Sequence, residues 1–96
     1  MNGTDLIIVG GGSAGAALAG LIARDQSLRV LLLEAGPDYG HQRAGQWPSD
    51  LLDAREIPQS HQWGYRGRNH ATHTELSTYD RARVIGGCSA HNGCVG

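Results

Sequence analysis

Hydrophobic and polar residues follow a regular order only in the first third of the chain. Residues 5–9 and 28–33 are short apolar runs with branched side chains, which is typical of strands buried in a parallel sheet. Between them, residues 14–25 contain good helix formers, with three aliphatic side chains spaced for one face. The pattern therefore predicts a strand, a turn, a helix and a second strand.

The next segment, residues 37–81, is polar, rich in Gln, His, Arg and Thr, and without sustained periodicity. It is predicted to be mostly irregular. Two pieces stand out: a helix of about two turns over 50–56, with Ser49 as its N-cap and Pro58 as its end, and an extended piece over 62–65. So long an irregular stretch is uncommon unless it is functional or wraps another part of the protein.

Length limits the chain to one small domain. It has 96 residues, fifteen of them glycine and none phenylalanine, so its core would be thin. We predict an α/β fold made of a Rossmann-type β-α-β unit (1–36), a loop-rich segment (37–81) and a closing loop (82–96). Together they are expected to be an incomplete part of a larger domain.

A glycine-rich turn lies between the first predicted strand and the helix. Gly10, Gly12 and Gly15 form GxGxxG, and Glu34 follows nineteen residues after Gly15, at the end of the second strand. In this context the pattern indicates dinucleotide binding. Gly10 would permit the turn, Gly12 would let the backbone approach a pyrophosphate, and Gly15 would let the helix pack closely on the sheet. Glu34 would accept from ribose hydroxyls, which disfavours NADP, although the pattern does not separate FAD from NAD.

The stretch VIGGCSAHNGC (84–94) within the closing loop allows several interpretations. Cys88, His91 and Cys94 could supply three zinc ligands. A fourth would have to come from His61, His70 or His73. A Cys88–Cys94 disulfide fits the spacing but not the CxxC redox pattern, and we favour two small buried hydrophobic side chains and no metal.

The glycines of this loop, Gly86, Gly87 and Gly93, are best explained by close approach of the backbone to a flat ligand or to another chain segment. His91 is the residue of greatest chemical interest. From the loop alone, it could be structural or could take a direct chemical part.

Charge excludes some classes of partner. The formal net charge is −1, and the eight basic and nine acidic residues are spread along the chain, so neither nucleic acid nor an anionic membrane is expected as a partner. The apolar run at 6–9 is too short to span a bilayer, and no basic segment precedes it. We therefore expect a cytoplasmic protein.

Two separated stretches, IIVGGGSAGAALAGLI...VLLLEAGPD and RARVIGGCSAHNGCVG, resemble the glucose-methanol-choline (GMC) flavoprotein oxidoreductases. Trp63 also stands where several members have a tryptophan. The resemblance implies an FAD-binding domain, hydride transfer from an alcohol carbon to flavin, and two partners: the remainder of the enzyme and a small-molecule alcohol.

The closing loop most resembles the choline-oxidising members, in which the histidine matching His91 is attached covalently to the 8α carbon of FAD. The resemblance thus implies a possible covalent flavin link at His91, which would make the flavin a better hydride acceptor. The positions expected around FAD are Gly10, Gly12, Ser13, Ala14, Gly15, Glu34, Ala35, Trp63, Arg83, Val84, Gly86, Gly87, His91, Asn92, Gly93, Cys94 and Val95.

Two departures from the family narrow these expectations. Choline-oxidising members have Ser where this chain has Gly93, so choline itself is not the expected alcohol. The commonest family signature has a small hydroxyl residue or Gly at the position of Cys88 and an aliphatic residue at that of His91, so the flavin link belongs to a subset.

The family's catalytic base lies near the end of a much longer chain. No residue here is therefore assigned as catalytic, and the 96 residues alone are expected to be inactive. Two alternatives stay open: a non-catalytic dinucleotide-binding module, or a lyase or decarboxylase of the same fold.

Overall fold

A computed structural model describes residues 3–93 of the chain. Within this range the regular elements are, in chain order, β1 (Leu6–Val9), α1 (Ser13–Ile22), β2 (Val30–Leu33), β3 (Tyr65–Gly67) and β4 (Ser77–Tyr79). Short 3₁₀ turns span Gln42–Ala44, Ser49–Leu52 and Gly87–Ala90. None of the helices in residues 3–93 is long and apolar enough to cross a lipid bilayer.

The first three elements form the predicted β-α-β unit. β1 and β2 are parallel, with Leu6 opposite Val30 and Val9 opposite Leu33. Helix α1 ends at Ile22, three residues before the predicted end. The chain turns there, and the Asp25 carboxylate accepts from both the backbone N–H and the hydroxyl of Ser27, a local bond that competes with helix continuation.

One face of the β1–β2 sheet packs against α1. Ile8 is buried, and a methyl group on Gly15 of the helix would lie 3.3 Å from its side chain. Because side chains alternate along a strand, the neighbours of Ile8 point to the opposite face. That face is exposed, and Val9 is 82% exposed. The thin core predicted from composition is therefore confirmed.

The predicted irregular segment contains an antiparallel hairpin. β3 and β4 pair with Tyr65 opposite Tyr79, and the ladder continues as the backbone N–H of Trp63 donates to the carbonyl of Arg81. The extended piece expected over 62–65 was therefore right in kind but wrong in its bounds. The prediction was weak because each strand has only three residues and a polar sequence.

The predicted helix over 50–56 is wrong. The chain forms only a 3₁₀ turn, Ser49–Leu52, which follows Pro48 and has no side-chain cap. The side chain of Asp50 accepts instead from Ser60, and that of Asp53 from Arg55. These bonds hold the segment in turns, in competition with an α-helix.

Candidate functional site

The glycine-rich turn has the geometry that its spacing predicts. Gly10 has φ +96°, a left-handed conformation that glycine adopts without strain. A Cβ atom on Gly15 would lie 1.9 Å from the Gly10 carbonyl oxygen, a distance that no side chain tolerates. The two glycines therefore let α1 begin immediately after the strand and lie directly on it.

The N-terminus of α1 is open. The helix begins at Ser13 after Gly12, which provides no side-chain cap, and its first turn contains no acidic residue. The first N–H groups of an α-helix have no partner within the helix and carry a partial positive charge. Gly12, Ser13, Ala14 and Gly15 thus form an end of the helix suited to an anion such as a phosphate.

The carboxylate of Glu34 holds the turn together. Its Oε2 accepts from the backbone N–H of Gly11 at 2.7 Å, and its Oε1 accepts from that of Gly36 at 2.8 Å. Sequence reasoning assigned Glu34 to a ribose and missed this second role. A carboxylate has further acceptor positions, so the ribose contact stays a prediction. Ala35, next in the chain, is exposed.

The closing loop packs directly against this turn. The backbone N–H of Gly86 donates to the carbonyl of Gly11 at 2.7 Å. Gly86 and Gly87 both have positive φ, and a Cβ on Gly87 would lie 2.7 Å from the Cα of Gly12. The sequence left two reasons for these glycines, a flat ligand or another chain segment. The structure shows the second: the neighbouring segment is the GxGxxG turn.

A second close contact fixes the start of the loop. A Cβ on Gly36 would lie 2.2 Å from the backbone of Arg83, and the N–H of Ile85 donates to the carbonyl of Pro37 at 3.0 Å. Val84 is fully buried here, whereas the side chain of Arg83 is exposed. Gly36 was not singled out from the sequence, because its partner lies nearly fifty residues away.

An open cavity of about 620 Å³ lies where the helix N-terminus, the closing loop and the hairpin meet. Its lining residues are Gly12, Ser13, Trp63, Tyr65, Tyr79, Arg81, Ala82, Gly87 and Cys88. Four of them were predicted: Gly12, Ser13, Trp63 and Gly87. The hairpin residues were missed because the hairpin itself was not predicted.

Aromatic rings line one side of this cavity. The rings of Trp63 and Tyr65 are stacked with centroids 5.8 Å apart and planes 3° apart. The guanidinium of Arg83 lies 5.8 Å from the centroid of the Trp63 ring, within the range of a cation–π contact. This wall offers flat apolar surface beside polar backbone, as ligand pockets commonly do.

His91 is turned away from solvent. It is 3% exposed, and its Nε2 lies 2.7 Å from the carbonyl oxygen of Ser60. Because a carbonyl only accepts, Nε2 carries a proton, and in the neutral ring Nδ1 then carries the lone pair. A flavin bond at Nε2 would require this hydrogen bond to open first.

The structure does not bring every predicted residue to the same cavity. His91, Asn92 and Gly93 lie outside the lining described above. Asn92 instead borders a second cavity of about 440 Å³, with Trp47 and Leu51. Cys94 and Val95 lie outside the described residues.

Cys88 is a free, half-buried thiol. Next to it, the hydroxyls of Ser13 and Ser89 are hydrogen-bonded, which joins the start of α1 to the closing loop. Residues 3–93 contain no cluster of three or more His, Cys, Asp or Glu side chains that could hold a metal. The zinc alternative also needed Cys94, which is not among the described residues.

Comparison with known families gives a match over most of the chain. A family model described as lycopene cyclase protein matches residues 5–83. This range contains the strands and helix of the β-α-β unit and the hairpin, and it ends within the closing loop, before His91.

Comparison with individual proteins gives matches over nearly the whole chain. The chain is 39% identical to choline oxidase from Arthrobacter globiformis over 92 residues, which is 95% of this chain and 16% of that protein. It is 37% identical to pyranose dehydrogenase from Agaricus campestris over 93 residues, 95% of this chain and 15% of that protein. The chain thus spans about one sixth of the length of these relatives.

Solved structures give the same picture. Pyridoxine 4-oxidase from Mesorbium loti superposes with a TM-score of 0.73 at 34% identity, over 94% of this chain and 17% of that one. Formate oxidase from Aspergillus oryzae, studied for modification of its FAD, gives a TM-score of 0.69 at 25% identity, over 96% of this chain and 17% of that one. The fold is therefore that of the corresponding part of these oxidases.

Proposed function

Because this chain belongs to the GMC family of oxidoreductases, we propose that it forms the N-terminal FAD-binding part of a flavin-dependent alcohol oxidase or dehydrogenase. Over residues 5–83 it also belongs to the sequence family described as lycopene cyclase protein. Matches that cover 95% of the chain must include most of the loop after residue 83, which the lycopene cyclase match does not reach. The proposal follows the GMC relatives for that reason.

One observation carries the proposal. The open N-terminus of α1 and Gly87 of the closing loop lie side by side and line the same cavity as the aromatic rings. The helix N-terminus suits a pyrophosphate, and the flat rings of Trp63 and Tyr65 suit a planar ring system. A dinucleotide with a large aromatic group meets both requirements, and FAD is such a molecule.

The roles of the chain's own residues follow from their positions. The backbone N–H groups of Ser13 and Ala14 would bind the pyrophosphate, and Glu34, which holds the turn, would also accept from the ribose of the ADP half. Bound FAD supplies the hydride acceptor for oxidation of an alcohol carbon.

His91 is the residue proposed to approach the flavin, with a covalent link as the stronger form of the hypothesis. The link would draw electron density from the flavin and favour hydride acceptance. Mass spectrometry of the denatured protein tests it, since complete loss of flavin on denaturation would exclude the link.

The remaining parts of the enzyme are proposed partners. The exposed face of the β1–β2 sheet, which includes Ile7 and Val9, is apolar and suits coverage by further chain. The base that deprotonates the alcohol would come from that remainder, and so would the residues that choose the alcohol and the electron acceptor. We also place the protein in the cytoplasm, on the basis of its sequence alone.

A substitution that adds charge to the helix N-terminus tests the cofactor site. Ala14→Glu should leave the fold intact, because a carboxylate in the first turn is favourable to the helix. It should nevertheless repel the pyrophosphate and weaken FAD binding at least about tenfold. FAD affinity would be measured by flavin fluorescence on protein produced without flavin and then titrated with FAD.

The matched control is Ala17→Glu, an equally exposed alanine one turn further along α1. It should bind FAD as the parent protein does. Equal affinities in the two variants would contradict the assignment of the pyrophosphate to this helix.

A further inference from the structure

A cluster of polar side chains lies beside His91 and is not part of the cofactor cavity. The Ser60 hydroxyl donates to Asp50 Oδ2 at 2.5 Å. Ser60 Oγ is also 2.5 Å from His61 Nδ1, and His61 Nε2 is 2.7 Å from the Tyr39 hydroxyl. All four residues are half-buried. They form one continuous hydrogen-bonded chain.

For a neutral His61 ring, the chemistry of the groups fixes the direction of every bond. Ser60 has one hydroxyl hydrogen and gives it to the carboxylate, so His61 Nδ1 must be the donor to Ser60 Oγ. With Nδ1–H donating, the neutral ring of His61 accepts at Nε2 from Tyr39. Because the serine hydrogen goes to Asp50 rather than to the imidazole, this is not the arrangement of an activated serine nucleophile.

The backbone at His61 is left-handed. It is the one described residue other than glycine with positive φ, at +58°, a conformation that is uncommon outside glycine and in which His, Asn and Asp are the most frequent other residues. Rotation about φ of His61 swings the preceding peptide group, which carries the Ser60 carbonyl. The far side is anchored, since the N–H of Arg83 donates to the carbonyl of His61 at 2.7 Å.

The Ser60 carbonyl is the group that binds His91. The Ser60 oxygen accepts from His91 Nε2 at 2.7 Å, so the angle at His61 sets where the acceptor for His91 lies. The bonds to Asp50 and from Tyr39 hold Ser60 and His61 in place and oppose rotation about this angle.

We propose that Tyr39, His61, Ser60 and Asp50 are positioning residues that fix His91 in one orientation, with the proton on Nε2 and the lone pair on Nδ1. The same logic applies to metal-binding histidines, whose tautomer is set by the hydrogen bond made by the other ring nitrogen. Its bearing on the cofactor rests on the proposed function, whereas the tautomer of His91 does not.

Nitrogen NMR of the protein labelled with ¹⁵N-histidine tests the proposal, because the two ring nitrogens report which one carries the proton. A His91→Gln variant assigns the signals. The parent protein should show His91 mainly as the Nε2–H tautomer. In Ser60→Ala and His61→Ala the Ser60 carbonyl should no longer be held in place for His91. The ratio of Nε2–H to Nδ1–H should then fall about two- to tenfold, as expected for loss of the hydrogen bond between His91 and that carbonyl.

Conservative variants separate positioning from general support of the fold. Ser60→Thr keeps the hydroxyl, and His61→Asn keeps a polar side chain that tolerates positive φ, so both should retain more of the parent ratio than the alanine variants. His70→Ala, an exposed histidine in the loop between β3 and β4, should leave the His91 signals unchanged. Circular dichroism identifies any variant that fails to fold.

An unchanged tautomer ratio in folded Ser60→Ala and His61→Ala would overturn the proposal, and so would a parent protein in which Nδ1 carries the proton. If the tautomer responds as expected but the Ala14→Glu variant still binds FAD normally, the proposed function fails and the positioning role stands. If Ala14→Glu weakens FAD binding but the tautomer ratio does not change, the proposed function stands and the positioning role fails.

Discussion

The β-α-β unit and the segment that follows it are held together in different ways. In the first, a parallel ladder from Leu6 to Val9 and a helix pressed on the strand by Gly15 provide regular backbone contacts. In the second, most of the structure rests on side chains bonded to backbone or to each other, such as Asp50 with Ser60 and Trp47 with the carbonyl of Gly40. In the first region, steric contacts determine the conformation of the glycine-rich turn. In the second, hydrogen bonds determine the orientation of His91.

The difference teaches where each region is vulnerable. A steric contact of backbone on backbone fails when a single methyl group is added, because no side chain can move aside. A hydrogen-bonded segment loses its interactions one at a time. Substitutions should therefore have a large effect in the glycine turn and graded effects elsewhere.

The largest effect is expected from Gly15→Ala. Its methyl group would lie 1.9 Å from the Gly10 carbonyl oxygen, so the helix must shift away from the sheet. We expect a loss of about 3 kcal/mol or more in the free energy of unfolding, at the upper end for overpacking, together with loss of FAD binding. Urea unfolding and flavin content measure the two effects.

Gly20→Ala is the matched control within the same helix. No atom lies within 4 Å of the added methyl group, and alanine is the better helix former, so we expect about 0.5–1 kcal/mol of stabilisation. If both variants lost stability equally, steric contact at Gly15 would not be the feature that distinguishes this region.

An intermediate effect is expected from Glu34→Gln. The carboxylate binds the N–H groups of Gly11 and Gly36 with separate oxygens, whereas an amide has a single oxygen and leaves one N–H without an acceptor. Stability should fall by about 1–3 kcal/mol, measured by chemical unfolding. The exposed Glu75→Gln should change it by less than about 0.5 kcal/mol; an equal loss there would indicate a general charge effect.

The smallest effect is expected at the Asp5–Arg29 pair, which joins the starts of the two strands. The Arg29 side chain donates to Asp5 and lowers the pKa of that carboxyl below its usual value of 3.8. Because the pKa of Asp5 is lower in the folded protein, the pair stabilises the fold at pH values above the usual pKa of the carboxyl. This contribution is lost as the pH falls through the folded-state pKa. Asp5→Asn should therefore lower Tm slightly at neutral pH and reduce its fall in acid.

Asp53→Asn provides the comparison. Asp53 and Arg55 are also paired, and the pKa of Asp53 is lowered in the same way. They are two residues apart, however, so their bond closes no long loop and should change Tm less than the Asp5 pair does. A larger change at Asp53 would contradict the view that contacts distant in sequence stabilise this fold.

Sequence alone was sufficient for the β-α-β unit because apolar periodicity and the spacing of Gly10 and Gly15 report local geometry. It was insufficient for the hairpin, whose strands of three residues lack an apolar pattern. It was also insufficient for Gly36 and for the contacts of Ser60 with His91, because a single sequence contains no record of which distant residues meet. Spacing allowed zinc at Cys88, although we favoured a small buried side chain there; the structure shows a free thiol that is only half-buried and lines a cavity.

The contact between Gly12 and Gly87 joins residues that are seventy-five positions apart in the chain. During synthesis at about 5–20 residues per second, the first glycine leaves the ribosome roughly 4–15 s before the second. The β-α-β unit depends on contacts close in sequence and can form in that interval, while the cofactor site must wait for its other half. On the ribosome, the β-α-β unit can thus form before the nascent chain has a place for the dinucleotide.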